Sequence, residues 1–216
     1  IKRKFACVRE RMQMSRYDVI IIGAGPGGIF AAYELMKKAP ELKVAVFEAG
    51  NPLEKRKCPI DGKKVKSCIN CKTCAIMSGF GGAGAFSDGK YNITNDFGGT
   101  LYEYIGKEAA TELMHYVDEI NVAYGGEGTK MYSTAGPKVK KLCMQNRLKL
   151  LDASVRHLGT DINYVVLENL FKELKDKVEF RFNCHVDELE ITEGGYRVTA
   201  GGQTDECEKC IVSVGR

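Results

Sequence analysis

The run Val19-Ile20-Ile21-Ile22 ends on Gly23-Ala24-Gly25-Pro26-Gly27-Gly28, and this junction limits what the chain can fold into more than any other feature. Four consecutive β-branched residues with no polar residue among them read as a strand buried on both faces. Ile29, Ala32, Tyr33 and Met36 then recur at spacings of three and four, which predicts a helix over 27–39 that Pro40 stops. Lys43 to Glu48 reads as the next strand. Strand, glycine turn, helix and strand within about 30 residues make one right-handed βαβ unit. Gly23 permits the tight turn, Gly25 lets the backbone approach a pyrophosphate, and Gly28 lets the helix pack closely on the sheet. Pro26 and Gly27 open that helix, whose free N–H groups and dipole favour phosphate charge. Glu48 follows Gly28 by twenty residues, just before Ala49. It is placed to accept hydrogen bonds from the adenosine ribose, and its charge would repel a 2′-phosphate, which disfavours NADP at this site. A glycine turn that binds nothing is the alternative, and the complete context weighs against it.

The rest of the chain is globular by composition: 216 residues, 44% of them hydrophobic, can bury one sizeable core. The net charge of +4 is small and spread along the chain, which argues against a nucleic-acid partner. Lys2, Arg3, Lys4, Arg9 and Arg11 are the densest basic group, and residues 1–16 are read as a solvated extension. No apolar run reaches the ~18 residues needed to cross a bilayer, so neither a membrane nor a secretory signal is expected. Nine cysteines, an odd number in a chain of this size, predict reduced thiols and a cytoplasmic location.

Further along, helices are predicted over 100–124 and 139–151, with Leu142, Leu148 and Leu151 as anchors of the second, and over 164–175. Val178 to Phe182 alternates as a strand. Val186 to Ile191, Tyr196 to Ala200 and Lys209 to Val214 form a short antiparallel meander with glycine turns and a final apolar strand. The fold class expected is α/β: a Rossmann-type FAD/NAD(P)-binding parallel sheet with a β-meander and a helical insertion at about 51–163.

At Gly23 to Gly28, Ala32, Leu35 and Glu48 the sequence resembles the two-dinucleotide-binding-domain flavoproteins, and the resemblance implies FAD in preference to NAD. It further implies that the backbone of Val186 contacts adenine and that Val214-Gly215 lies near the flavin. Within that superfamily the chain is similar to a group of predicted FAD-dependent dehydrogenases marked by a cysteine cluster, a GFGGAGAFSDGK stretch and an H-x-GTD stretch. All three are present, at Cys58 to Cys74, Gly79 to Lys90 and His157 to Asp161. Gly81, Gly82 and Gly84 would let backbone amides approach a flat ring or a phosphate, with Ser87 beside them. Flavoproteins of this type carry a later Gly-Asp motif beyond a substrate domain. Residues 17–216 are therefore expected to be the N-terminal portion of an FAD-binding domain, with the substrate domain and C-terminal FAD motif missing from this chain.

The implied activity is that of an FAD-dependent oxidoreductase acting on a small-molecule substrate, with NAD(P)H as a candidate electron donor. The catalytic residues are unknown at this level, because specificity lives in the site and not in the fold. Two rivals stay open: a non-catalytic dinucleotide-binding module, and an NAD-dependent dehydrogenase without flavin.

Lys90 is offered two roles, a positive charge near the flavin or an exposed lysine at a loop exit. His157 stands in an expected loop, either facing the site or satisfied structurally. Cys58, Cys68, Cys71 and Cys74 give C-x9-C-x2-C-x2-C, which as a whole matches no standard pattern. A metal or cluster, a thiol pair exchanging electrons with flavin, and plain reduced cysteines all remain open, and no metal ligand is assigned. Cys207 and Cys210 also form C-x-x-C, and strand alternation predicts that their sulfurs point to opposite faces.

Overall fold

The computed structural model describes residues 14–215, so the basic group Lys2 to Arg11 lies outside the described residues. In chain order come β1 (Arg16–Ile22), α1 (Pro26–Lys38), β2 (Val44–Phe47), β3 (Lys90–Ile93), α2 (Leu101–Ile105), α3 (Lys107–Asn121), β4 (Met131–Ser133) and α4 (Pro137–Gln145). They are followed by β5 (Ser154–His157), α5 (Gly159–Leu174), β6 (Glu179–Arg181), β7 (Val186–Thr192), β8 (Gly195–Ala200) and β9 (Gln203–Val212). The main sheet has the order β6-β2-β1-β9-β8-β7. Its β6, β2, β1 and β9 run parallel, and β7, β8 and β9 form the antiparallel meander.

The β-branched run of β1 is central because both its faces are covered. Val19 and Ile21 pack with Val46 of β2 under Ile29, Ala32 and Met36 of α1 and Val166, Leu170 and Leu174 of α5. Tyr17, Ile20 and Phe47 form the opposite core with Val198, Ala200 and Cys207. The last strand of the meander is thus itself the parallel neighbour of β1, and it is longer than the expected 209–214.

Arg181 fastens that second face. From β6 it donates to Asp205 Oδ2 on β9 at 2.6 Å and to the Tyr17 hydroxyl on β1 at 2.6 Å, and it bonds Glu179 at 2.8 Å. Its guanidinium lies 4.9 Å from the Phe47 ring centre. Burial, and then the hydrogen bond to Glu179, push the Tyr17 hydroxyl up to about 12. Asp205 is 1% exposed, so removing its partner leaves a buried charge uncompensated. Arg181→Met is expected to cost about 4 kcal/mol in urea unfolding, and adding Asp205→Asn should recover part of it. An Arg181→Met protein as stable as the parent would contradict this account.

Several expectations change. The helix expected over 100–124 breaks into α2 and α3 at Gly106, whose φ of +84° is foreign to an α-helix, and a short π turn at Val122–Gly126 closes α3. The helix expected over 139–151 begins at Pro137 and ends at Gln145, and Leu142, Leu148 and Leu151 are exposed and anchor nothing. Residues 51–163 carry more than helices, because β3, β5 and β4 form a second, antiparallel sheet in that order. The expected loop at His157 is the end of β5, and Gly159-Thr160-Asp161 is the first turn of α5. Cys207 and Cys210 both meet the second core, so alternation fails between them. Burial, and then the neighbouring Cys207, raise the Cys210 thiol to about 11.

Candidate dinucleotide-binding site

The carboxyl ends of β1, β2 and β9 converge on the glycine turn. Gly23 has φ +103°, its N–H donates to Phe47 O at 2.8 Å, and a methyl group there would collide with the Ser213 carbonyl oxygen. A methyl group on Gly28 would strike the Gly23 carbonyl oxygen, so this glycine is fixed by helix-to-turn packing, as expected. Gly25 is different: its nearest neighbour for an added methyl is Gly82 Cα at 4.0 Å. It caps α1 in an extended conformation with Pro26 as the first helical residue, and the helix has neither a side-chain cap nor an acid in its first turn. The first helical bond is Ile29 N–H to Gly25 O, so Gly27 and Gly28 keep N–H groups with no acceptor in the helix. Pro26 and Gly27 are exposed. The geometry is that of an anion site at a helix N-terminus.

Glu48 has a role that the sequence did not reveal. It is 6% exposed, and its carboxylate accepts from Ala24 N–H at 2.7 Å and from Gly50 N–H and Gly79 N–H, both at 2.8 Å. Of roughly four acceptor positions on a carboxylate, these amides fill three and leave one open. Glu48 therefore ties the glycine turn to the second glycine-rich stretch. Ala49 lies beside it, partly exposed.

That second stretch is seated on the first. Gly81 N–H donates to Ala24 O at 2.8 Å, and Gly82, with φ +58°, faces Gly25 Cα at 3.1 Å for an added methyl. Phe80 is fully buried against Phe171 and Phe180, with ring centres 5.0 and 5.7 Å away, and anchors the stretch to α5 and β6. Gly84 and Ser87 are exposed, and nothing lies within 4 Å of a methyl group placed on Gly84.

Arg56 holds this arrangement together, and nothing in the sequence singled it out. It is 5% exposed and donates to the carbonyls of Ala75 (2.9 Å), Ile76 (2.7 Å), Phe80 (2.7 Å) and Gly82 (2.8 Å). The guanidinium lies over the Phe86 ring at 4.8 Å. Burial lowers its pKa, and the nearby Glu48 charge opposes that shift.

The remaining candidates scatter. Ser213 N–H bonds Ile22 O at 2.8 Å, which brings the end of β9 to the glycine turn, and Gly215, two residues on, is exposed. Val186 opens β7 on the far edge of the sheet, whereas the neighbours of Glu48 are Asn183 and Cys184, through Asn183 N–H to Gly50 O and Cys184 N–H to Glu48 O, both at 2.9 Å. Lys90 is exposed and paired with Asp88 at 2.6 Å. That ion pair holds the Asp88 carboxyl below its ordinary range. His157 is exposed, opposite Lys90 on β3.

Comparison with known proteins agrees with this topology. The Thi4 family model matches residues 3–52, which include the βαβ unit. An uncharacterised protein of Clostridium beijerinckii is 25% identical over 99% of this chain and 33% of its own length. Thiamine thiazole synthase of Yarrowia lipolytica is 46% identical over 61 residues, 22% of this chain and 19% of that protein. Among solved structures, glycine oxidase from Geobacillus kaustophilus superposes with a TM-score of 0.51 at 17% identity, covering 93% of this chain and 55% of its own. The 3-ketosteroid-Δ4-(5α)-dehydrogenase of Rhodococcus jostii RHA1 superposes at 0.54 and 14% identity, covering 95% and 47%. The fold is of the Rossmann type. The chain spans about a third of the Clostridium protein and about half of the two solved structures. Among the described residues, no helix is long and apolar enough to cross a membrane.

Proposed function

We propose that this chain is the N-terminal portion of the FAD-binding domain of an oxidoreductase of the two-dinucleotide-binding-domain superfamily. The observation that carries the reading is the accessible N-terminus of α1, with the free N–H groups of Gly27 and Gly28 next to a second glycine-rich backbone surface. Gly23, Gly25, Pro26, Gly27 and Gly28 would hold the pyrophosphate, and Glu48 with Ala49 the adenosine ribose. Gly81, Gly82, Gly84 and Ser87 would offer backbone and a hydroxyl to the rest of the nucleotide, and Gly215 would lie near the flavin. Val186 is kept as the adenine contact, reached through the Asn183–Cys184 segment that bonds Gly50 and Glu48.

FAD, when bound, supplies the two-electron redox chemistry. The chain's own contribution is to fix the phosphate charge, orient the ribose and hold the second glycine stretch against the turn through Arg56 and Glu48. The names of the superposed structures, an oxidase and a dehydrogenase, support the redox class. Within the whole protein we place an insertion at about 51–163, a substrate-binding part beyond these residues, a small-molecule substrate and NAD(P)H as donor. A cytoplasmic setting rests on the odd number of cysteines, nine, in a chain too large to need a disulfide scaffold.

Equilibrium dialysis of the natural full-length protein, stripped of nucleotide, against FAD and NAD tests the choice of cofactor. Retention of FAD over NAD is expected. Retention of NAD alone would favour the flavin-free dehydrogenase, and retention of neither would remove the proposal.

A further inference from the structure

Between Arg56 and Gly81 the chain has no helix or strand. Irregular segments this long inside a compact domain carry function or need an outside constraint. Arg56 fastens the end of this one, through the carbonyls of Ala75 and Ile76. The middle encloses a cavity of about 300 Å³, and all four cysteines of the cluster line it, together with Ile60 and Ile69. They are free thiols.

We propose that Cys58, Cys68, Cys71 and Cys74 hold a [4Fe–4S] cluster in this cavity. Cys68, Cys71 and Cys74 follow C-x2-C-x2-C, the spacing with which bacterial ferredoxins supply three ligands, and the ligand those proteins bring from a distance is a cysteine followed by proline. Cys58-Pro59 meets that description.

A zinc ion needs its sulfurs about 2.3 Å from one shared centre, whereas a [4Fe–4S] core gives each sulfur its own iron and fills more space. The four thiols line one cavity of about 300 Å³, which suits the larger core. Asn70, in a left-handed turn at φ +50°, points its N–H at Cys68 Sγ, 3.5 Å away. Hydrogen bonds to ligating sulfur are among the features that tune such clusters. The surroundings also suit the charge. Ligation takes one proton from each thiol, and the resulting negative charge falls where Lys55, Lys57, Lys63, Lys64, Lys66 and Lys72 outnumber the one acid between 55 and 74, Asp61.

The test is elemental. The natural full-length protein, produced in iron-replete cells and purified under nitrogen, is assayed for iron, acid-labile sulfide and zinc beside Cys68→Ser, Cys71→Ser and Cys143→Ser. About four irons and four sulfides per chain are expected in the parent and in Cys143→Ser, with both falling severalfold in the other two variants. Cys68 and Cys71 are exposed, and the parent's own content decides the matter should either variant fold poorly. A parent without iron and sulfide, a parent with zinc in their place, or full content in Cys68→Ser and Cys71→Ser would overturn the proposal. Bound nucleotide contributes to none of the three assays, so the result stands apart from the flavin.

Discussion

Gly25→Ala is expected to leave the chain folded and to weaken dinucleotide binding by roughly thirtyfold, the equivalent of about 2 kcal/mol of steric conflict. Its backbone, φ −73° and ψ −178°, is open to alanine, and the nearest atom to the added methyl is 4.0 Å away. The protein alone therefore gives no reason for glycine at this position. A ligand pressed against the backbone does. Gly23→Ala makes the contrast: with φ +103° and a collision at Ser213 O, it should cost about 3 kcal/mol in folding before any ligand is added. Thermal unfolding of the nucleotide-free proteins, paired with an FAD titration, separates the two effects. Gly25→Ala binding as tightly as the parent would mean that the nucleotide does not approach the turn.

Arg56→Ala should produce the largest stability loss of any single change near the site, about 4 kcal/mol, because hydrogen bonds from a buried charged group are worth roughly 1.5–3 kcal/mol each. Four carbonyls lose their donor, and three of them, Ala75, Ile76 and Phe80, belong to chain without helix or strand. Arg56→Lys should fail almost as badly. One ammonium cannot reproduce a planar fork that reaches Ala75 and Ile76 on one side and Phe80 and Gly82 on the other. Urea unfolding measures the loss. Limited trypsin digestion should show faster cleavage between residues 56 and 86. A variant as stable and as resistant as the parent would show that the glycine stretch is held by other contacts.

What could be read in the sequence follows from signal length. Residues 17–48 combine a β-branched run, a 3.6-residue period and a glycine turn, so three independent signals agree. The strands β3, β4 and β5 span only three or four residues each, too few for alternation to stand out, and the second sheet went unseen. Arg56 was hidden by composition: flanked by Lys55 and Lys57, it looks like one more solvated charge, and only the fold turns it inward. Glu48 was found for its place after the second strand, but its three amide contacts depend on Gly50 and Gly79, the second of them thirty-one residues further on. Cys207 and Cys210 show the limit of strict alternation. Asp18 N–H and Val19 N–H both donate to Lys43 O beside them in the sheet, an irregularity that no residue type announces.

Acid release and identification of the nucleotide carried by the natural full-length protein tests the central claim most directly. FAD in near-stoichiometric amount is the predicted result. A protein that releases no flavin and takes none up on incubation with FAD would contradict it, leaving a Rossmann-type fold that serves some other ligand.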